Sequence, residues 1–313
     1  MPMEASKRST RDEPEAWVAG EVLIDLIPDG AGGRRAVVGG GSANTAKALA
    51  RLGIKTCFID GISTDDHGRT ARAELEASGV DLSRSLTSGK PTALAEVSLD
   101  RHGNASYAFS LAGTATFDFS DSWLPAGTPA VAHVGTLATI VEPGCDALRR
   151  WAGAISCPVV YDPNVRPSVL GDRAKYRAIV DRWIAISDVV KLSDDDLTWL
   201  YPEAHGLSGA IEIARASLAQ GPALVVITRG AAGLVGVTQE QVIEVPGVAV
   251  NVIDTVGAGD TVGAVLVEAI IAHGLPGLCG DHLPDVLGRA AHAAAITCSR
   301  AGAHPPYASE IAA

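Results

Sequence analysis

The stretch Asp254-Thr255-Val256-Gly257-Ala258-Gly259-Asp260 has carboxylates at both ends, two glycines between them, and an apolar run to residue 272 behind it. Residues 248–253 ahead of it are β-rich, so the pattern predicts a strand, a glycine turn and a helix stopped by Gly274. Glycines in such a turn let consecutive N–H groups face one hollow, and the helix dipole adds partial positive charge there. That hollow suits a phosphate. Asp260, in the first helical turn, reads in two ways: as a capping carboxylate, or as a general base that takes the proton of an attacking hydroxyl.

Outward from this loop, short β-rich runs alternate with longer helical patterns, which predicts an α/β fold. Residues 18–26 read as a first strand, and residues 42–52 as a helix ended by Gly53. Residues 130–134, 159–162, 188–191 and 224–228 read as buried parallel strands. They run into His133 and Gly135, Asp162 to Asn164, Lys191 to Asp194, and Thr228 to Gly230. Ligands collect at the carboxyl ends of such strands, so this arrangement favours an enzyme. Segments 27–38 and 92–119 break the alternation and read as antiparallel strands of a lid. Residues 1–15 read as a disordered tail, and 16–313 as a single domain.

Composition narrows the partners. The 313 residues are 47% hydrophobic and 19% charged, enough for a large core. With a net charge of −11 and no Lys/Arg block, the chain is not expected to bind nucleic acid. The N-terminus has no signal-peptide core and no apolar run reaches membrane length, so no membrane partner is expected. Cys57, Cys145, Cys157, Cys279 and Cys298 are odd in number and scattered, which suits a reducing cytoplasm rather than a disulfide framework or zinc site.

A second glycine run, Gly39-Gly40-Gly41-Ser42-Ala43-Asn44, leads into the predicted first helix. Bare glycine backbone lets a polyol come close, and Asn44 can both donate and accept to hydroxyls. A dinucleotide-binding reading competes, but Asn44 stands where the third glycine would be. Asp25 is a lone carboxylate within an apolar strand, either a solvent-facing strand end or a ligand for hydroxyls. Arg166, between Pro163 and Pro167, presents a rigid fork of donors for a sugar oxygen or a phosphate. The acidic triplet Asp194 to Asp196 suits a metal or a helix N-terminus, and Thr228 to Gly233 suits a nucleotide turn or a hairpin.

Residues 254–260 and 39–46 resemble the two signatures of the ribokinase-like (PfkB) carbohydrate kinases. Residues 133–137, 162–167 and 191–197 resemble its fructokinase branch. The resemblance implies a ribokinase-like three-layer fold with a mostly parallel central sheet and a small antiparallel β lid. It implies ATP-dependent phosphorylation of a primary hydroxyl, first of all the 6-hydroxyl of D-fructose. A nucleoside-like riboside, 2-keto-3-deoxygluconate or another sugar are the alternatives, and a flat base would stack on Tyr107 or Phe109 of the lid. A catalytically silent sugar-binding protein is a further one.

By the same resemblance Asp260 is the base, and the amides of Gly257, Ala258 and Gly259 form the anion hole. Asp25, Gly40, Gly41, Asn44, Phe109 and Arg166 hold the sugar. Lys191, Asp194, Thr228, Gly230, Gly233 and Ala291, with Gly257 and Gly259, hold ATP. Asp194 holds Mg2+ through water, and Asp254 with the segment of Arg300 and Gly302 holds a monovalent cation such as K+. A homodimer joined through the lids is expected, because an open sheet edge rimmed by apolar residues invites a partner.

Overall fold

The computed structural model describes residues 14–29, 32–99 and 105–311, without the side chains of residues 99 and 105–107. The chain begins β1 (Glu15–Ala19), β2 (Leu23–Pro28), β3 (Arg34–Gly39), α1 (Gly41–Arg51), β4 (Lys55–Ile59), β5 (Gly61–Ser63), α2 (Asp66–Ala77) and β6 (Leu86–Ser88). It continues with β7 (Leu94–Leu99), β8 (Ala105–Ser110), β9 (Val131–Gly135), α3 (Gly144–Ala154), β10 (Val159–Asp162), α4 (Arg173–Ile184), β11 (Val189–Ser193), α5 (Asp194–Leu200) and α6 (Gly206–Leu218). β12 (Leu224–Thr228), β13 (Leu234–Val237), β14 (Val242–Val245), α7 (Ala258–Cys279), α8 (Leu283–Cys298) and α9 (Ala308–Ile311) follow.

Alternate strand residues serve opposite faces of one eight-stranded sheet, ordered β14-β13-β12-β11-β10-β9-β1-β4. Ala16 and Val18 of β1 pack with Leu49, Val265 and Leu287 from α1, α7 and α8. Trp17 and Ala19 pack on the other side with Leu148, Val180 and Leu218 from α3, α4 and α6. Helix, sheet and helix therefore make three layers. Every pairing from β4 to β12 is parallel, so these strands end together on one rim; β13 and β14 add an antiparallel edge.

The lid is a separate four-stranded sheet, β3-β2-β7-β8, with antiparallel outer pairs and a parallel β2–β7 pair at its centre. Residues 18–26 are not one strand, as the periodicity predicts, but two. The chain leaves the central sheet at Gly20, which packs directly on Ser42, and resumes as β2 in the lid. Asp25 is therefore a lid residue. β1 opens at Glu15, the last residue of the expected tail; residues 1–13 of that tail lie outside the described residues.

Residues 248–253 also differ from expectation, because they form no strand. After β14 the chain passes Pro246 and runs as an irregular segment with Val252 and Ile253 about 60% exposed (59% and 61%). Proline has no N–H for a ladder, and β14 is already the sheet edge. The amides of Ile253 and Asp254 instead donate to the Cys298 carbonyl, at 2.8 and 3.2 Å, which ties the phosphate-type loop to the end of α8. Helix α7 breaks at Gly274 (φ 69°) as predicted, with Pro276 just beyond. Its 22 residues are long and apolar enough to cross a membrane, yet Val262, Leu266 and Ile270 are buried in the core it shares with α1 and α8.

Candidate active site

The first turn of α7 meets the first turn of α1 above the rim of the sheet. Asp260 is buried there, and Asn44 Nδ2 donates to its Oδ2 at 2.9 Å. A Cβ on Gly41 would sit 2.5 Å from Thr136 Cγ2, 3.1 Å from Asn164 Nδ2 and 3.2 Å from Asp260 Oδ1. The missing side chain is what lets three others converge at that point. Thr136 (φ 57°) and Asn164 (φ 38°), at the ends of β9 and β10, both hold left-handed backbone that non-glycine residues rarely adopt. Such strain gathers at functional sites.

Burial pushes the Asp260 carboxyl up to about 6, and Asp162 adds to this; the Asn44 hydrogen bond, Lys191 and Arg166 oppose it. Lys191 Nζ lies 2.9 Å from Asp162 Oδ2 in a fully buried pair. It also lies directly beneath the loop, since a Cβ on Gly259 would come within 2.8 Å of it. Gly257, at φ 82°, packs on Ala303. The Ala258 amide is turned back toward the Thr255 carbonyl at 3.3 Å.

Beside the loop a cavity of about 400 Å³ opens between the β12 end and α8. Thr228, Gly230 and Gly233 line one side, Ala291, Ala294 and Ala295 another, and Ala258 and Gly259 its mouth toward Asp260. Its largely apolar walls suit a flat ring, with backbone amides at one end for phosphates.

On the opposite side stands the lid. Asp25 of β2 pairs in register with Ala95 of β7, and Ala95 with Phe109 of β8. Directly paired residues share a sheet face, so Asp25 and Phe109 face the same way. Burial pushes the Asp25 carboxyl up to about 6 against the pull of Arg166 and Lys47. Arg166 is held by its own loop, donating through Nη1 to the Asn164 and Val165 carbonyls at 3.2 and 3.1 Å. The side chain of Tyr107 lies outside the described residues.

Within the acidic triplet the structure separates the roles. Asp194 is exposed on the first turn of α5, where it accepts from the Asp195 amide. Asp196 is buried, completes a capping box with Ser193, and accepts from the Val165 amide at 2.7 Å. It is the carboxylate that fastens the 162–167 turn. Asp254 accepts from the amides of Val256 and Gly302 at 3.1 and 2.9 Å, which brings those two segments together. The Arg300 side chain turns away to pair with Glu310.

Sequence reasoning missed Glu21 and Asp60, and named Asn164 and His133 only as strand-end residues without a role. Glu21 and Asp60 are buried carboxylates, Asn164 faces Gly41, and His133 is buried with neither ring nitrogen partnered among the described residues. Burial, with Lys191 nearby, pushes His133 down to about 3, so it is neutral. The available signal was weak: charged or polar residues beside glycines at strand ends.

A model of the pfkB family of carbohydrate kinases matches residues 15–310. The chain belongs to that family. A fructokinase from Klebsiella pneumoniae is 32% identical over 308 residues, covering 94% of this chain and 97% of the relative. One from Rhizobium leguminosarum bv. trifolii is 38% identical over 260 residues, covering 80% and 78%. The crystal structure of Vibrio cholerae O395 fructokinase with fructose, ADP and calcium bound superposes with a TM-score of 0.84 at 26% identity, covering 95% of this chain and 97% of that one. Among pfkB proteins this chain thus keeps the three-layer architecture and the lid.

Proposed function

We propose that this pfkB-family chain is an ATP-dependent fructokinase that phosphorylates the 6-hydroxyl of D-fructose. The observation that carries the reading is the buried Asp260, gripped by Asn44 between a lid bearing a carboxylate and a loop backed by a lysine. The fructokinase relatives and the fructose- and ADP-bound relative support the choice of sugar and nucleotide.

Asp25, Asn44 and Arg166 orient the sugar hydroxyls against the glycine backbone of residues 40–41, with Phe109 closing from the lid. Asp260 takes the proton of the attacking hydroxyl as its oxygen bonds to the γ-phosphorus and the bond from that phosphorus to the ADP oxygen breaks. The amides of Gly257 and Gly259 and the Lys191 ammonium stabilise the charge on the transferring group, while the Ala258 amide of the expected anion hole is spent on the Thr255 carbonyl. The cavity at Ala291 takes the adenine, with Thr228, Gly230 and Gly233 beside the ribose and phosphates.

Among the described residues no group of three His, Cys, Asp or Glu side chains is arranged to hold a metal. Mg2+ would therefore rest mainly on phosphate oxygens and water, with the exposed Asp194 reached through water, and would supply charge neutralisation. A monovalent cation would be held by Asp254 and the segment of residues 300–302, which the Gly302 amide ties to that carboxylate. Two copies pair through their lids, and the five free cysteines suit the cytoplasm.

An ATP-coupled assay across fructose, ribose, 2-keto-3-deoxygluconate, adenosine and aminoimidazole riboside tests the reading. Fructose should be turned over best; turnover of a riboside without fructose overturns it. Asp260→Asn should lower kcat by roughly 10²–10⁴-fold while sugar still binds.

A further inference from the structure

We propose that Glu21 is a positioning residue whose buried carboxylate holds the amino end of α1 and the strained Thr136 turn in place around the catalytic base. The proposal rests on the reading of Asp260 as that base.

Helix α1 begins on Gly40, which has no side chain to cap it, so the first amides of the helix need partners from elsewhere. Residue 21 supplies them twice. Its Oε1 accepts from the Gly41 amide at 2.9 Å, and its own carbonyl accepts from the Ala43 amide at 3.3 Å. The same carboxylate reaches the short 3₁₀ turn at Thr136–Thr139, accepting from the Thr136 hydroxyl and, through Oε2, from the Ala138 amide at 3.2 Å. One side chain thus satisfies the starts of two helical segments, at the positive ends of their dipoles.

Both segments touch the site. Gly41 lies against Asp260, Asn164 and Thr136, and Asn44, one turn further along α1, donates to Asp260. Thr136 sits at φ 57°, a position a β-branched residue does not hold without external restraint, and its hydroxyl is tied to Glu21. Glu21 is held in turn: Asp60, also buried, accepts from the Val22 amide at 2.8 Å and so pins the backbone beside it. Burial pushes the Glu21 carboxyl up to about 7, against its four hydrogen-bond contributions. A polar group kept buried at that cost is expected where geometry, rather than stability, is served.

The test compares Glu21→Ala, Glu21→Gln and Thr136→Val with wild type for kcat and KM of the sugar, affinity for ADP, and thermal midpoint. Loss of Glu21 should lower kcat by about 10- to 100-fold, as small misplacements near the chemistry do. ADP affinity should stay within about twofold, because the nucleotide cavity is built from β12 and α8 instead. Glu21→Gln, which keeps an acceptor for Gly41 and Thr136, should recover much of the rate, and Thr136→Val should fall between. A folded Glu21→Ala with wild-type kcat overturns the proposal. So do equal losses of kcat and ADP affinity with no rescue by glutamine, the signature of a purely structural role. If the alanine variant does not fold, wild-type kcat in both other variants overturns it. Failure of the kinase reading shows separately, as a wild-type protein that phosphorylates no sugar.

Discussion

Asn44 and Asp260, 216 positions apart, are joined by a 2.9 Å hydrogen bond from the Asn44 amide to the Asp260 carboxylate. Each lies in the first turn of its own helix, so the bond fixes α1 against α7 at the proposed catalytic base. The other Asn44 atom, Oδ1, is buried without a protein partner among the described residues, which leaves an acceptor open beside Asp260.

Removing that bond should change the acid limb of activity. Asp260 must be ionised to accept a proton, so kcat/KM should rise with pH through about 6, the level to which burial lifts it. Asn44 holds the carboxyl down, so Asn44→Ala should move its acid limb upward and lower kcat at neutral pH. A pH–rate profile of both proteins checks this.

Stability should respond to pH through Glu21. Its carboxyl, ordinarily near 4.5, is lifted to about 7 by burial, so the folded state holds the proton more tightly than the unfolded one. The associated stability is present below about 4.5 and is lost as pH rises through about 7, on the order of 3 kcal/mol in all. Denaturant unfolding at pH 5 and pH 8 should show a smaller decline in Glu21→Gln than in wild type. Asp25 and Asp260 shift in the same direction in both proteins and cancel in the difference, which therefore reports Glu21 together with the part of the Asp60 shift that the Glu21 charge causes.

The Lys191–Asp162 pair is fully buried, and breaking it from one side leaves an uncompensated charge. Lys191→Met should destabilise by about 3–5 kcal/mol. The double variant Lys191→Met, Asp162→Asn should lose less than the sum of the single losses, as read by a double-mutant cycle. Because Lys191 also holds the Asp260 proton affinity down, Lys191→Met should move the acid limb upward, whereas the double variant also removes Asp162, which raises it more, and should move the limb downward.

The cavity at α8 is about 400 Å³, and Ala291, Ala294 and Ala295 line its helix side. Ala291→Phe should fill part of it and raise the KM for ATP by about tenfold or more, leaving the sugar KM unchanged. Initial-rate kinetics with each substrate varied in turn will show the split.

Local chemistry along the chain was enough for several conclusions. The glycine loop before Asp260, the glycine run before Asn44 and the period-2 strands depend on backbone freedom and on which residues alternate, and both are readable from neighbours a few positions apart. They determined the fold class and the two loops that meet at the site. Three features depended on what lies beside an element in space. Residues 248–253 look like a strand, but beyond Pro246 and the β14 edge they have no partner to pair with. Asp25 reads as part of the first strand, yet the turn at Gly20 carries it into the lid, where the row through Ala95 to Phe109 forms. Asp194 and Asp196 are alike in sequence, and the 162–167 turn lying against α5 buries the second while the first stays exposed. Burial decided the rest, because desolvation acts only once distant segments close over a carboxylate. That closure, and not the motif itself, lifts the proton affinity of Asp260 and sets Glu21 behind it.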